Sequence, residues 1–342
     1  MSAPLLELTD LRMVYGGQTG ILARLAGRQT DPVIAADNVT LRLFPGQTLA
    51  VVGESGSGKT TTGRIATLQE RATSGAVIYD GADVTGIRGA ALKAYRREVQ
   101  MIFQNPYDAL DPRLTIGQSL AEPLMLHDLV PRSQRRGAVL DMLASVDLRP
   151  AATFAESYPA DLSGGQLQRV AIARALIVQP RVVIADEPVS MLDVSVRSGV
   201  MNLMLGLQQR TGVAYLYITH DLAVARYMAG RIAVMYLGAV LEEGPTETLI
   251  AQAAHPYTRL LIRAVPDHRS RSGRARIRLP GDAISQGGLP SGCRFHPRCP
   301  LAQPICAEKV PPLREMAPGH NAACHFAEDV AQHGLGCAAP LA

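Results

Sequence analysis

Three short stretches of the sequence are suited to binding and cleaving a phosphate. The first runs Gly53, Glu54, Ser55, Gly56, Ser57, Gly58, Lys59, Thr60, with Thr61 after it. It fits the pattern GxxxxGK[ST], directly after an apolar run ending at Val52 and before a helix-compatible stretch. Its glycines let the backbone wrap an anion, so that successive amides and the following helix N-terminus face it. Lys59 would reach the terminal phosphates, and Thr60 would offer its hydroxyl to Mg2+. The chain has only three lysines, Lys59, Lys93 and Lys309, and uses arginine elsewhere. A compact ammonium suits a crowded phosphate cage better than a planar guanidinium, which argues against an ordinary glycine-rich turn.

In the second stretch, the apolar residues 182–185 end on adjacent carboxylates, Asp186 and Glu187, followed by Pro188. At a strand tip beside the phosphate loop, Asp186 would hold Mg2+ through water. Glu187 would accept a proton from the water that attacks the terminal phosphate. A solvated acidic turn is the alternative for the dipeptide alone, and the phosphate loop counts against it. His220 follows another apolar run, residues 215–219, where it could polarise the terminal phosphate; its position rather than its identity carries the weight. The third stretch is Leu162, Ser163, Gly164, Gly165 and Gln166, ahead of a helix-patterned segment. It makes a second glycine-rich helix N-terminus and so a second anion site.

The elements that must position these residues are readable in outline. Alternating apolar residues at 6–14 and 39–44 predict half-buried strands in an antiparallel opening, with a turn at Pro45 and Gly46 and an inserted loop over 18–32. Apolar runs at 49–52, 99–103, 182–185 and 214–219 alternate with helical patterns and predict buried parallel strands with right-handed crossovers. Ligands of such sheets lie at the carboxyl ends of the strands, where all the motifs fall. Between residues 105 and 162 strand patterns vanish and helical spacing appears at 116–126 and 135–146, which predicts an inserted helical subdomain. After Val265 the texture changes to arginines without period and then to a Pro- and Cys-rich tail, so a domain boundary is expected near Pro266.

Composition bounds the function. With 47% hydrophobic and 19% charged residues over 342 positions, the chain is long and apolar enough for one large domain plus an appendage. A net charge of +4 falls well short of the basic stripe of a dedicated nucleic-acid binder. Arg197, Arg226 and Arg231 interrupt the most apolar stretches, so no membrane-spanning helix is expected. The first ten residues lack the pattern of a secretory signal, which makes the cytoplasm the default compartment.

Taken in order, the phosphate loop, Gln104, the Ser163 stretch, Asp186 with Glu187, and His220 resemble the nucleotide-binding subunit of ABC transporters over about residues 5–264. The resemblance implies an α/β fold: a P-loop ATPase core over residues 1–265, with a mixed central sheet, an antiparallel β subdomain and the helical insertion, plus a small Cys-rich extension over 266–342. It implies that Ser163, Gly164, Gly165 and Gln166 contact the terminal phosphate of ATP held by the opposite subunit, so that a working site needs two chains. By the same resemblance Asp193 is a dimer contact, and Gln104 senses Mg2+ and water while its loop touches the membrane subunits. Tyr15 would stack on adenine. Val189 and Met191 depart from the Thr and Ala that the family often carries before Asp193. The implied partners are a second ATPase subunit, different rather than identical, two transmembrane permeases and, indirectly, an extracytoplasmic solute-binding protein. The implied location is peripheral, on the cytoplasmic face of the inner membrane.

His255, Pro256, Tyr257 and Thr258, then residues 260–266 and 289–300, resemble the tail of the oligopeptide, dipeptide and nickel importer ATPases. Cys293, Cys299, Cys306 and Cys324 could converge on one metal centre, with Cys337 left over. Their spacing lacks the tight pairs of common zinc ribbons and leaves zinc, or unrelated thiols, open; the resemblance implies a 4Fe-4S cluster. Its role is expected to be structural, because it lies far in sequence from the hydrolytic residues. The seven arginines of residues 259–278 are read as a solvated linker rather than a lipid-binding patch.

Peptide import is the expected function, with nickel or another small solute as the alternative cargo. A soluble ABC ATPase acting on nucleic acid would need a long coiled-coil insertion or tandem ATP units, and neither is in the sequence. A metal-sulfur redox protein would leave the phosphate motifs unexplained.

Overall fold

The computed structural model describes residues 3–16, 32–265 and 289–336. Most of the 18–32 insertion, the boundary near Pro266, most of the arginine-rich stretch and Cys337 lie outside the described residues. Two sheets organise the rest. Strands β1 (Leu6–Tyr15), β2 (Val33–Leu43), β4 (Ser74–Tyr79) and β5 (Ala82–Asp83) form an antiparallel sheet in the order β2-β1-β4-β5. An eight-stranded sheet contains β3 (Thr48–Val52), β6 (Val99–Ile102), β7 (Val182–Asp186), β8 (Ala214–Thr219), β9 (Arg231–Tyr236), β10 (Ala239–Pro245), β11 (Arg314–Ala317) and β12 (His320–Ala322). Its order is β11-β12-β10-β9-β3-β8-β7-β6, parallel from β9 to β6 and antiparallel beyond.

The continuous apolar runs predicted to be parallel strands are buried on both faces, and alternate residues go to different cores. In β3, Leu49 and Val51 face the antiparallel sheet, together with Ile184 of β7 and Ile218 of β8. On the other face, Tyr215 and Tyr217 of β8 and Val183 and Ala185 of β7 pack under the helical region. Ala50 and Val52 of β3, with Ile232 and Val234 of β9, pack instead against Tyr257, Phe295, Cys293 and Cys306. The described part of the C-terminal region therefore shares a core with the central sheet, and β12 extends that sheet by pairing with β10.

Between β6 and β7 there is no strand; besides short 3-10 turns at Pro106–Ala109 and Pro159–Asp161, the segment holds the helices Ile116–Leu126, Arg132–Ser145, Ala151–Glu156 and Gly164–Leu176. Thr115 and Gln118 cap the first of these in a reciprocal box, which fixes where it begins. Leu120, Leu143 and Val146 are fully buried where these helices meet the sheet. Among the described residues no helix is long and apolar enough to cross a membrane.

Candidate active site

The phosphate loop leaves the end of β3 and closes at Gly58, which precedes the helix Lys59–Ala66 in the left-handed region at φ 95°. Only glycine suits this position: a Cβ on Gly58 would lie 1.9 Å from the Ala35 carbonyl oxygen, and one on Gly53 would lie 2.1 Å from that of Met235. Ser55 and Gly56 are exposed at the tip, and Ser57 is buried beneath it. Lys59 is buried with its Nζ inside the loop, donating to the carbonyls of Gly53 and Glu54 at 2.8 Å each and to Ser57 Oγ at 3.3 Å. Burial pulls its pKa down, and the charges of Glu187, Asp186 and Glu54 oppose that shift.

Sheet order brings the remaining groups together, because β6, β7, β8 and β3 are consecutive neighbours and parallel. Their carboxyl ends present Gln104, the Asp186–Glu187 pair, His220 and the loop side by side. Thr60 Oγ1 donates to Asp186 Oδ1 at 3.2 Å. Burial raises the Asp186 pKa, while the Thr60 hydrogen bond and Lys59 pull it down. Glu187 lies at φ 46°, a strained conformation for a long side chain, with its N–H donating to the Ile218 carbonyl at 2.9 Å. Its carboxylate lies 3.0 Å from His220 Nδ1 and accepts from Gln104 Nε2 at 3.3 Å. Of the residues expected around Mg2+, Thr60 and Asp186 are hydrogen-bonded to each other, while Gln104 reaches the neighbouring Glu187.

Tyr15 approaches the same loop, with its hydroxyl 3.4 Å from Thr61 Oγ1 and hydrogen-bonded to Glu70. Ser163 caps the helix Gly164–Leu176, accepting from the Gln166 N–H while Gln166 Oε1 accepts from the Ser163 N–H at 2.9 Å. Gly165 lets this helix sit against Val196, where a Cβ would come within 2.5 Å of Cγ1. Ser163 and Gly164 are exposed, as is Asp193 at the start of the helix Val194–Thr211, and among the described residues no hydrogen bond joins them to the phosphate loop. Met191 is exposed and Val189 is buried.

The C-terminal thiols lie closer to the phosphate chemistry than their sequence distance suggests. Cys293, Cys299, Cys306 and Cys324 all line one small cavity with His255, Phe295, Leu301 and Phe326. Among the described residues no three His, Cys, Asp or Glu side chains are grouped to hold a metal ion, so the expected metal centre, zinc included, has no assembled ligand sphere here. Residues 293–299 fold against the phosphate loop, with the guanidinium of Arg298 on the Glu54 carboxylate at 2.9 and 3.3 Å. Nothing in the local pattern of the sequence signals this pair.

Comparison with known proteins agrees with the geometry. The ABC transporter family model matches residues 36–190, and the model for the oligopeptide/dipeptide transporter C-terminal region matches residues 241–306. The probable peptide ABC transporter ATP-binding protein of Sinorhizobium fredii is 44% identical over 95% of this chain and 90% of its own length. The oligopeptide transport ATP-binding protein AppF of Bacillus subtilis is 42% identical, over 94% of this chain and 97% of its own. Among solved structures, the dimeric bacterial ABC transporter cassette MJ0796 superposes with a TM-score of 0.61 at 30% identity, covering 70% of this chain and 98% of that one. The chain belongs to the ABC transporter ATP-binding family, in the branch that carries the oligopeptide/dipeptide transporter C-terminal region.

Proposed function

We propose that this ATPase drives peptide uptake through a membrane transporter, with each ATP held between two such subunits. The observation that carries the two-chain reading is the split of phosphate-binding groups: Lys59 and its partners converge on one loop, while the Ser163–Gly164 tip stands exposed and, among the described residues, Ser163 is hydrogen-bonded only within the first turn of its own helix. In this reading the loop of one subunit and the tip of the other enclose the terminal phosphate. Mg2+, near Thr60, Asp186 and Gln104, offsets the phosphate charge. Glu187 takes the proton of the attacking water, held in place by His220 and Gln104. Binding energy closes the pair of subunits, and hydrolysis reopens it.

The partner subunit is a different chain, and Met191 and Val189 are where its contact departs from the common pattern. A groove of about 560 Å³ between the sheet edge and the helical region, lined in part by Phe103, Glu122 and Leu126, offers the permease a seat on the cytoplasmic face of the inner membrane. The peptide reading leans on the relatives, two of which are named for peptide and oligopeptide transport. Reconstitution with the permeases and binding protein recovered alongside the chain from membranes should give ATP-dependent uptake of labelled di- and oligopeptides. Uptake of nickel without peptide would overturn this assignment, as would nucleic-acid-stimulated hydrolysis with no membrane partner.

The four cysteines fit a 4Fe-4S cluster by the chemistry of the donor set. Burial pushes the Cys293 thiol up and the Cys324 thiol up to about 12, so these two need a cationic centre to ionise; Cys299 and Cys306, which line the same cavity, would complete the donor set. When bound, the cluster supplies a rigid cross-link of four chain segments. Protein purified without oxygen should contain iron and acid-labile sulfide in equal amounts, both lost when Cys306 and Cys324 are replaced by serine. Zinc without iron, or no metal at all, would defeat the assignment.

A further inference from the structure

Glu54 is an unexpected neighbour for a polyphosphate. It is the second residue of the phosphate loop, its own carbonyl accepts from Lys59, and its carboxylate is only partly exposed. Left uncompensated, this charge would repel the anion the loop is built to hold and would compete for the Lys59 ammonium. The structure supplies the compensation from 244 positions along the chain. Arg298, with 7% of its side chain exposed, sets both prongs of its guanidinium on the Glu54 carboxylate.

Three aromatic residues fix this fork. Arg298 Nη1 also donates to the Tyr236 hydroxyl at 3.1 Å, and its Cζ lies 5.7 Å from the Tyr236 ring centroid. Phe295 meets that ring edge-on at 5.4 Å. Tyr257 packs against both rings and accepts the Glu54 backbone N–H on its hydroxyl at 3.1 Å. Side chain and amide of Glu54 are thus both held by groups outside the loop.

We propose that Arg298 is a positioning residue of the ATP site, which neutralises Glu54 and holds the phosphate loop in its anion-binding form. The proposal rests on the reading of Gly53 to Thr60 as the ATP-binding loop.

The test is a double-mutant cycle on the full-length chain, reading the Kd for Mg-ATP by calorimetry and folding by thermal melting. Arg298→Met is expected to raise the Kd about tenfold or more, the worth of a partly buried charged hydrogen-bond pair. In a Glu54→Gln background the same change should cost about twofold or less, since a neutral amide needs no compensation. An unchanged Kd in the single variant, or an equal loss in both backgrounds, would overturn the proposal, because a merely structural arginine weakens binding whatever residue stands at position 54. Should Arg298→Met not fold, Arg298→Gln removes the charge but keeps a hydrogen-bond donor, and a rise of about threefold or more is expected; no rise would overturn the proposal. Lys59→Ala separates this inference from the reading beneath it. If Lys59→Ala abolishes binding and Arg298→Met does not weaken it, only the role of Arg298 falls; if neither weakens it, the ATP-loop reading falls.

Discussion

Replacing Glu187 with glutamine should slow ATP turnover by about 10² to 10⁴ while ATP still binds. The substitution is nearly isosteric, so the contacts that place the side chain have a counterpart: Gln104 Nε2 at 3.3 Å on one oxygen and His220 Nδ1 at 3.0 Å on the other. What glutamine lacks is a basic oxygen able to take a proton from water. The backbone supports assigning this role to Glu187 rather than Asp186. Glu187 is held at φ 46°, which turns its side chain out of the strand, whereas Asp186 is the last residue of the buried β7 and accepts from Thr60. Phosphate release from the assembled transporter measures the rate, and calorimetry on the isolated subunit measures binding. Near-normal turnover would remove Glu187 from the proton-transfer role; loss of binding would show that its charge is needed to hold Lys59 and the metal in place.

The parts of this site that lie within single chain segments were legible in the sequence, and the parts made between segments were not. The apolar run at 214–219 coincides with β8, and the loop pattern marks both left-handed glycines, Gly56 and Gly58. Period-two alternation found the second half of β2 but missed its start at Val33, because Asp37 and Asn38, poor strand formers, sit at an irregularity between the pairs Val39–Leu11 and Ala36–Met13 and interrupt the alternation. Strands β9 and β10 went unread for a related reason. Strand β9 is a continuous apolar run after Arg231, β10 loses its apolar character at Glu242, and the two are joined at Leu237 and Gly238, so periodicity alone does not reveal a hairpin. Arg298 lay in a stretch singled out for its cysteines, and no local rule pairs an arginine with a carboxylate on the far side of a domain. The texture change near residue 266 does not reveal that β12 pairs with β10 in the sheet that begins with β3, since chain distance and spatial distance part wherever a late strand returns to an early sheet.

That return is anchored by one buried carboxylate, and its removal should cost about 3 to 5 kcal/mol of unfolding free energy. Glu242 of β10 is fully buried, 2.7 Å from Nε2 of the equally buried His320 of β12. The same carboxylate accepts the backbone N–H of Ala254 at 2.7 Å and of His255 at 3.1 Å. Gly244, two residues along β10, leaves room for the imidazole, since a Cβ there would sit 3.0 Å from His320 Cδ2. Glu242→Ala therefore leaves two amides and an imidazole nitrogen buried without an acceptor, and opens a cavity besides. Glu242→Gln keeps one acceptor oxygen and should cost less than half as much. Denaturant melts give the magnitude, and limited proteolysis gives the location. Cleavage should begin in the C-terminal region of Glu242→Ala while the sheet from β3 to β8 stays protected, because the three orphaned donors all lie on the segments that bring the C-terminal region back to β10. A loss below about 1 kcal/mol would mean that apolar contacts around Phe295 and Tyr257, not this polar centre, hold the region that delivers Arg298 to the phosphate loop.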